Sequence, residues 1–481
     1  MCGFLGLAGG DSPDELAKAF ALAMPRLQHR GQESCGASWS NAENVDGHKG
    51  MGLVPTVFNS EALEKIIKYG AQMIIGHTRY STSGESSDVN AQPHWLEDHR
   101  GRTAIALNGD VIDLAVQKDE LKKAGALFRT KNDAEFILKK IYHIVYQDRP
   151  DWKVDFIYGI RKMMETTRAT YSGGLLTGPL LYILRDPYEN RPLFIGRRGS
   201  LFVAASETCV FNQIGAEVER SVNGGEIIIV KPSGEWSSEQ AVQRRKCAHC
   251  VFEKIYFARP DSIAFGQETC ARFRRRLGVK MAQYEIERFG NGTEVDCSCA
   301  VPGSGNYFTE GYAVARRILL RYLFVRDTYI ARTFIMPGQD SRRTVAGRKY
   351  EALEDIAEGI CTADGEELIP PMKRIVIGED SIVRLTTLLA LIEDKVKKAG
   401  IEEIHVRISA PPIIAPCSYG IDMKRPDELI AATNSVEEIQ KKLGVASLLY
   451  LPLEKLDEVI KEGGEDPEDY CRACFSGKYP I

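Results

Sequence analysis

Cysteine stands second in this chain, in the opening stretch Met-Cys-Gly-Phe-Leu-Gly-Leu-Ala-Gly-Gly. Removal of Met1 leaves Cys2 with a free α-amine beside its own thiol. An α-amine titrates near ~7.7–8.0 and a thiol near ~8.5, so the amine can take the thiol proton around neutral pH. One residue then holds both nucleophile and base, as N-terminal threonine nucleophiles do. On position alone, Cys2 reads equally as an incidental thiol near a chain end. A second group is Glu379-Asp380, which ends the apolar run Ile-Val-Ile-Gly. Two carboxylates at a strand end can hold ribose hydroxyls and orient a Mg²⁺–pyrophosphate group. The turn and helix start that follow, with Ser381, Arg384, Thr386 and Thr387, offer donors to a phosphate. The plainer alternative is an exposed strand end with a helix cap at Thr386 or Thr387. The third group is the pattern Cys-x-x-Cys, found at 247–250 and again at 471–474. Two such pairs can supply four thiolates, a set that suits zinc or an iron–sulfur cluster.

These residues need a frame to hold them. The chain has 481 residues, 44% of them hydrophobic and 27% charged. That is the balance of a soluble globular protein, and ~150 residues per domain suggests two to four domains. A net charge of −4 favours neither nucleic acid nor anionic membranes. No apolar run reaches the ~18 residues of a membrane span, and no signal-peptide pattern opens the chain, so a cytoplasmic protein is expected. Twelve cysteines in a reducing compartment read as thiols, ligands or nucleophiles rather than disulfides.

The first half reads as short Ile/Leu/Val-rich strands bounded by turn residues, for example 73–81, 103–109, 180–186 and 226–232. Helices are expected at 14–29, 60–69 and 133–147, where apolar residues recur every three or four positions. The polar stretch 231–246 marks a boundary near residue 245. In the second half, strand 373–380, turn 381–387, helix 388–400 and strand 402–409 form a β-turn-α-β unit, which favours a parallel sheet. Ligands of such sheets sit beyond the strands' carboxyl ends, where Glu379 and Asp380 lie.

Five segments of the first half, taken in order, carry a resemblance: MCGFLGLAG, RLQHRGQES (26–34), GHTRYSTSG (76–84), NAQPHW (90–95) and LNGD (107–110). Together they resemble the glutaminase half of class II glutamine amidotransferases, N-terminal-nucleophile hydrolases with an αββα sandwich. The resemblance implies that Cys2 attacks the side-chain amide of glutamine. It puts the oxyanion donors on the Asn108 side chain and the Gly109 N–H. It assigns glutamine's α-carboxylate to Arg79 and its α-ammonium to Asp133, and it sets Arg30 beside the nucleophile as a further glutamine-site residue. One departure stands out: the family's usual His-Asn-Gly-Asn reads Leu107-Asn108-Gly109-Asp110 here.

Segments 250–262, 331–343, 379–387, 405–423 and 471–480 extend the resemblance to nearly the whole chain. They look like the glutamine phosphoribosylpyrophosphate amidotransferases, which make 5-phosphoribosylamine in the committed step of purine synthesis. The implied division is a glutaminase over 2–245 and a type I phosphoribosyltransferase over 246–481, with a cysteine-bearing tail. The implied substrates are glutamine and phosphoribosyl pyrophosphate, with Mg²⁺. A homo-oligomer is implied, with no nucleic-acid or membrane partner. Ser304 joins the pyrophosphate site, and Arg326, Tyr329 and Arg332 belong to a closing loop. The resemblance also implies a [4Fe–4S] cluster on Cys250, Cys417, Cys471 and Cys474, leaving Cys247 spare, with Zn²⁺ as the alternative.

The second half departs from the family at one ligand. The usual Val-Pro-Asp-Ser-Gly reads Val301-Pro302-Gly303-Ser304-Gly305, and Arg-Gly-Thr-Thr reads Arg384-Leu385-Thr386-Thr387. A leucine in place of glycine could block the approach of backbone to phosphate. Lys-Asn-Arg-Tyr reads Arg326-Asp327-Thr328-Tyr329, and Ala331 replaces a glycine. A divergent working enzyme, a glutaminase serving another ammonia acceptor, and a non-catalytic nucleotide-sensing relative all fit this pattern.

Overall fold

A computed structural model describes residues 1–80, 87–99, 101–148, 155–290, 292–327, 350–353 and 355–481. The strand Gly3–Ala8 sits inside the first sheet and is buried along its whole length. Its side chains alternate, as strand geometry requires. Leu5 and Leu7 pack under helices, while Phe4 and Ala8 face the second sheet. It is one of seven antiparallel strands in the order Glu217–Ser221, Phe194–Arg198, Leu201–Ala205, Gly3–Ala8, Met73–Arg79, Ser34–Ser40 and Val45–Met51. A second antiparallel sheet orders Trp236–Gln240, Glu226–Val230, Leu181–Arg185, Ala169–Leu176, Gly101–Val111 and His94–Asp98.

Phe4, Ile75, Ala106, Ile183 and Phe202 fill the space between the two sheets. Helices Pro13–Ala23, Ser60–Lys68 and Cys209–Ile214 cover the outer face of the first sheet. Asp133–Asp148 and Phe156–Thr166 cover the second. The result is an αββα sandwich. The first helix starts where its sequence says it should. Ser12 caps it by accepting from Glu15 N at 3.2 Å, and Pro13 takes the first turn, where its missing N–H costs nothing. The polar stretch 231–246 also carries a strand, Trp236–Gln240, which pairs with Glu226–Val230 through a turn closed by Lys231 N on Glu235 O. An edge strand with solvated side chains carries no apolar alternation to reveal it.

The second half holds a parallel sheet of five strands: Leu319–Arg321, Cys297–Ala300, Arg374–Glu379, Glu403–Ile408 and Ser447–Tyr450. Helices Cys270–Phe289, Gly305–Arg316 and Leu453–Glu462 pack on one face. Thr386–Leu391, the π turn that prolongs it, and Val436–Leu443 pack on the other. The two halves share an apolar core, since Met1 is buried among Phe252, Ile255 and Val251. Among the described residues no helix is long and apolar enough to cross a membrane.

Candidate functional site

Cys2 is buried at the start of the central strand. Its backbone N donates to Asn108 Oδ1 at 3.1 Å, and its Sγ lies 3.5 Å from Tyr80 N. Asn108 Nδ2 is buried and has no hydrogen-bond partner. Asn-Gly is often a hairpin turn, yet here the pair sits inside the long strand Gly101–Val111, facing Ser172 and Tyr171 of the neighbouring strand. Gly109 is required there, because a Cβ would lie 1.9 Å from Thr170 O.

The peptide just before this pair is clamped on both sides. Leu107 N donates to Gln92 Oε1 at 2.8 Å, while Gln92 Nε2 and His77 Nε2 lie 3.2 and 3.1 Å from Leu107 O. Burial pushes the His77 imidazole down to about 3, so the ring is neutral and Nε2 is the donor. Both residues lie in segments that the sequence singles out, but only the fold reveals their role.

Arg30 is expected beside the nucleophile as a further glutamine-site residue. Its Nε donates to Cys2 O at 2.8 Å, so it does lie at the nucleophile. However, it lies outside the cavity wall and is locked in a fully buried network. Nη2 meets Glu253 Oε1 at 2.6 Å and Nη1 meets Glu207. Glu207 also takes His29 Nε2 at 2.7 Å and Arg259 N at 2.9 Å. Burial alone would raise the Glu207 carboxyl, but His29 and Arg30 hold it well below the usual carboxylate range. Arg30 is thereby tied to the backbone of Cys2 and to two buried carboxylates.

A cavity of about 390 Å³ opens at Cys2, walled by Arg79, Tyr80, Gly109, Asp110 and Asp133. Arg79 is buried and pairs with Glu33. Asp133 opens its helix, and its Oδ1 has no hydrogen-bond partner. Burial pushes the Asp133 carboxyl up, and the charge of Asp110 adds to the shift. Asp110 in turn meets Lys424 Nζ, from the other half of the chain, at 2.6 Å.

A second cleft, of about 1150 Å³ with its open mouth included, lies at the carboxyl end of the parallel sheet. It gathers Ser304, Arg326, Glu379, Asp380, Ser381, Arg384, Thr386 and Thr387, the residues that the sequence singles out. Asp380 accepts from the Ser304 and Ser381 hydroxyls, the latter at 2.7 Å, and its N donates to Glu379 Oε1 at 2.9 Å. Arg384 is held by Glu428 Oε2 at 2.6 Å from Nε and by Asp422 O at 3.3 Å from Nη2. Leu385 keeps φ at +64°, the left-handed region that favours glycine, and its side chain is anchored in the apolar core. That backbone costs roughly 1–2 kcal/mol in a residue with a Cβ. Arg326 ends a short strand paired with Tyr350–Ala352. Tyr329 and Arg332 lie outside the described residues.

Cys250 and Cys471 are partners in two short parallel strands. Ile414 N and Ala415 N both donate to Cys474 O, at 2.9 and 3.2 Å, which brings the segment carrying Cys417 against the tail. Burial pushes the Cys250 thiol up to about 11 and Cys471 to about 12, and Cys474 rises well above its ordinary value. Neighbouring thiols add to each of these shifts. Arg191 is buried beside Cys250 and Cys417, and its Nε and Nη1 have no hydrogen-bond acceptor. Among the described residues, only Glu189, Cys247 and His249 bring three ligand atoms within 4.8 Å of one another. Glu189 there is already taken by Arg244 and by Arg185, the latter at 3.4 Å.

Comparison with known proteins agrees with this layout. A family model described as a glutamine amidotransferase domain matches residues 77–213. The amidophosphoribosyltransferase of Methanothermobacter thermautotrophicus is 40% identical over 479 residues, covering 100% of this chain and 94% of that protein. The one from Bacillus subtilis is 34% identical over 484 residues, again covering 100% and 94%. The solved structure of the B. subtilis glutamine phosphoribosylpyrophosphate amidotransferase, complexed with ADP and GMP, superposes with a TM-score of 0.84 at 33% identity. It covers 100% of this chain and 97% of that one. A second structure, described as the allosteric regulatory enzyme of purine biosynthesis, gives a TM-score of 0.85 at 33% identity, covering 100% and 96%. With its full length matched at these identities, the chain belongs to the amidophosphoribosyltransferase family of class II glutamine amidotransferases.

Proposed function

We infer that the chain carries out the family's reaction, the glutamine-dependent amination of phosphoribosyl pyrophosphate that opens purine synthesis. The observation that supports this most is the contact of Cys2 N with Asn108 Oδ1 while Asn108 Nδ2 stays buried and unpartnered. Cys2 N is an amide nitrogen in this structure. It stands in for the α-amine that appears once the residue before Cys2 is removed.

That amine takes the Cys2 thiol proton, and Sγ attacks the side-chain carbonyl carbon of glutamine. Asn108 Nδ2 and Gly109 N–H receive the oxyanion. The adduct collapses with cleavage of the C–N bond, and the amine returns its proton to the departing nitrogen. Ammonia and a thioester result. Water, with the same amine as base, releases glutamate and restores the thiol. Arg79 exchanges Glu33 for the α-carboxylate of glutamine, and Asp133 takes the α-ammonium.

In the second cleft, Glu379 and Asp380 hold the ribose hydroxyls. Ser304 and Ser381 orient Asp380. Ser381, Arg384, Thr386 and Thr387 take the 5′-phosphate. Ammonia attacks C1 of the ribose, the C1–O bond breaks, and pyrophosphate leaves. Mg²⁺, when bound, offsets charge on the pyrophosphate. Arg326, which lines the cleft, helps to keep water from the site. Met1 shares an apolar core with Phe252, which also lines the second cleft, so loss of Met1 frees space between the two sites.

We divide the chain into a glutaminase over 2–245 and a phosphoribosyltransferase over 246–481. Cys250, Cys417, Cys471 and Cys474 would hold a [4Fe–4S] cluster, whose chemistry here is cross-linking of the tail to both halves. The residues suit it. Thiols this basic bind metal by losing protons, and the acceptorless donors of Arg191 suit an anionic centre. A single tetrahedral zinc needs sulfurs about 3.8 Å apart, and no three of these cysteines close even to 4.8 Å. Homo-oligomeric assembly completes the reading, and light scattering reads it directly. The function itself is tested by assaying glutamate and pyrophosphate together. Equal release is expected. Glutamate without pyrophosphate would point to another acceptor, and neither product would overturn the assignment.

A further inference from the structure

The glutamine cavity holds two carboxylates, and the reaction as described uses only Asp133. Asp110 lines the same wall, directly after the oxyanion glycine. Asp110 Oδ2 lies 2.6 Å from Lys424 Nζ, an ion pair that spans the two halves of the chain. The segment carrying Lys424 lies along the oxyanion strand. A Cβ on Gly420 would come within 3.3 Å of Gly109 O, and Tyr419 O accepts from Thr170 Oγ1 at 3.2 Å. On its far side this segment is tied down twice, by Cys417 N on Met423 O at 2.8 Å and by Arg384 Nη2 on Asp422 O at 3.3 Å.

We propose that Asp110 and Asp133 together seat the α-ammonium of glutamine, and that Lys424 is the positioning residue that makes this double seat usable. The inference rests on the glutaminase reading above. An ammonium has three donors, and one carboxylate leaves some of them unanswered. A second carboxylate on the same wall supplies acceptors, but two buried carboxylates repel and would rather share a proton than stand as a pair. A cation held behind one of them offsets part of that penalty without entering the cavity, and Lys424 is absent from the cavity wall. Lys424 thus holds the Asp110 carboxylate in place on the cavity wall beside Asp133. Discrimination for glutamine over an amide lacking the α-amine then depends on a residue of the phosphoribosyl half.

The test compares glutamine with its deamino analogue, glutaramate, in wild type, Asp110→Asn, Lys424→Met and the double variant. Lys424→Met is expected to raise the glutamine KM about tenfold with kcat within about twofold, and to leave the glutaramate KM where it was. Asp110→Asn is expected to lower the preference for glutamine over glutaramate by at least as much. In the Asp110→Asn background, Lys424→Met should then add nothing, because Lys424 acts only through Asp110. A Lys424→Met enzyme whose glutamine KM is unchanged or lowered overturns the proposal. So does equal loss with both amides, which would mean damage to the oxyanion strand. Ammonia-dependent synthesis on the same preparations reports an intact fold. Wild-type enzyme that fails to deamidate glutamine would sink the glutaminase reading itself, a separate result.

Discussion

Removing the side chain of Asn108 is the perturbation whose size follows most directly from the structure. Asn108 does two jobs with one amide. Its Oδ1 receives Cys2 N at 3.1 Å, which holds the nucleophile's nitrogen in place, and its Nδ2 is a buried donor with no partner in the free molecule. A buried donor left without an acceptor costs about 1–3 kcal/mol, and that cost is recovered only when the oxyanion forms. Asn108→Ala loses this differential term. Glutaminase kcat should fall by ~10²–10³, equal to about 2.7–4 kcal/mol in the barrier. Asn108→Asp keeps an acceptor for Cys2 N but sets a negative oxygen where the donor was. It should be slower than Asn108→Ala, although it is the smaller change in shape. The assay is glutamate release at saturating glutamine, with ammonia-dependent phosphoribosylamine formation as control. A glutaminase loss under tenfold in both variants would refute the oxyanion role, and so would an Asp variant faster than the Ala variant.

Three further outcomes follow from other parts of the molecule. Glu253→Gln leaves fully buried Arg30 with Glu207 as its one carboxylate partner and takes away the carboxylate that faces Arg191 at 3.8 Å. Breaking such a pair costs about 3–5 kcal/mol, so chemical denaturation should show a lower midpoint with an unchanged slope. His77 and His94 are buried and neutral, each pushed down to about 3 by burial. The unfolded chain binds their protons below about pH 6.5, so stability is lost as pH falls from there towards 3. At pH 5.5 the two together account for about 3 kcal/mol, and His94→Gln should halve that slope in pH-dependent denaturation. Anaerobically purified protein should contain stoichiometric iron and acid-labile sulfide, and Cys471→Ser should lose both. Zinc in their place would favour the simpler ion.

How much of this could be read before the fold was known varies with sequence distance. Strand Met73–Arg79 and helices Pro13–Ala23 and Asp133–Asp148 announce themselves through apolar runs and apolar spacing, both local signals. The second cleft was equally readable, because one turn after one strand supplies Glu379 through Thr387. The buried network around Arg30 was not readable, for the opposite reason. Its partners Glu207 and Glu253 are distant in sequence, and nothing near Arg30 marks it as buried. Lys424 is a single lysine in a polar loop, and only tertiary packing sets it on Asp110. At Leu385 the sequence shows only a leucine where the family has glycine; its left-handed backbone and its side chain's anchorage in the core are visible only in the fold.

The central chemical claim is that one residue supplies both thiol and base. Replacing it by Cys2→Ala in protein whose N-terminus has been read by mass spectrometry tests this directly. We predict complete loss of glutamine-dependent synthesis with ammonia-dependent synthesis retained, and wild-type protein that begins at Cys2. Glutamine use that survives the substitution, or full glutaminase activity in a chain that keeps a residue ahead of Cys2, would contradict it.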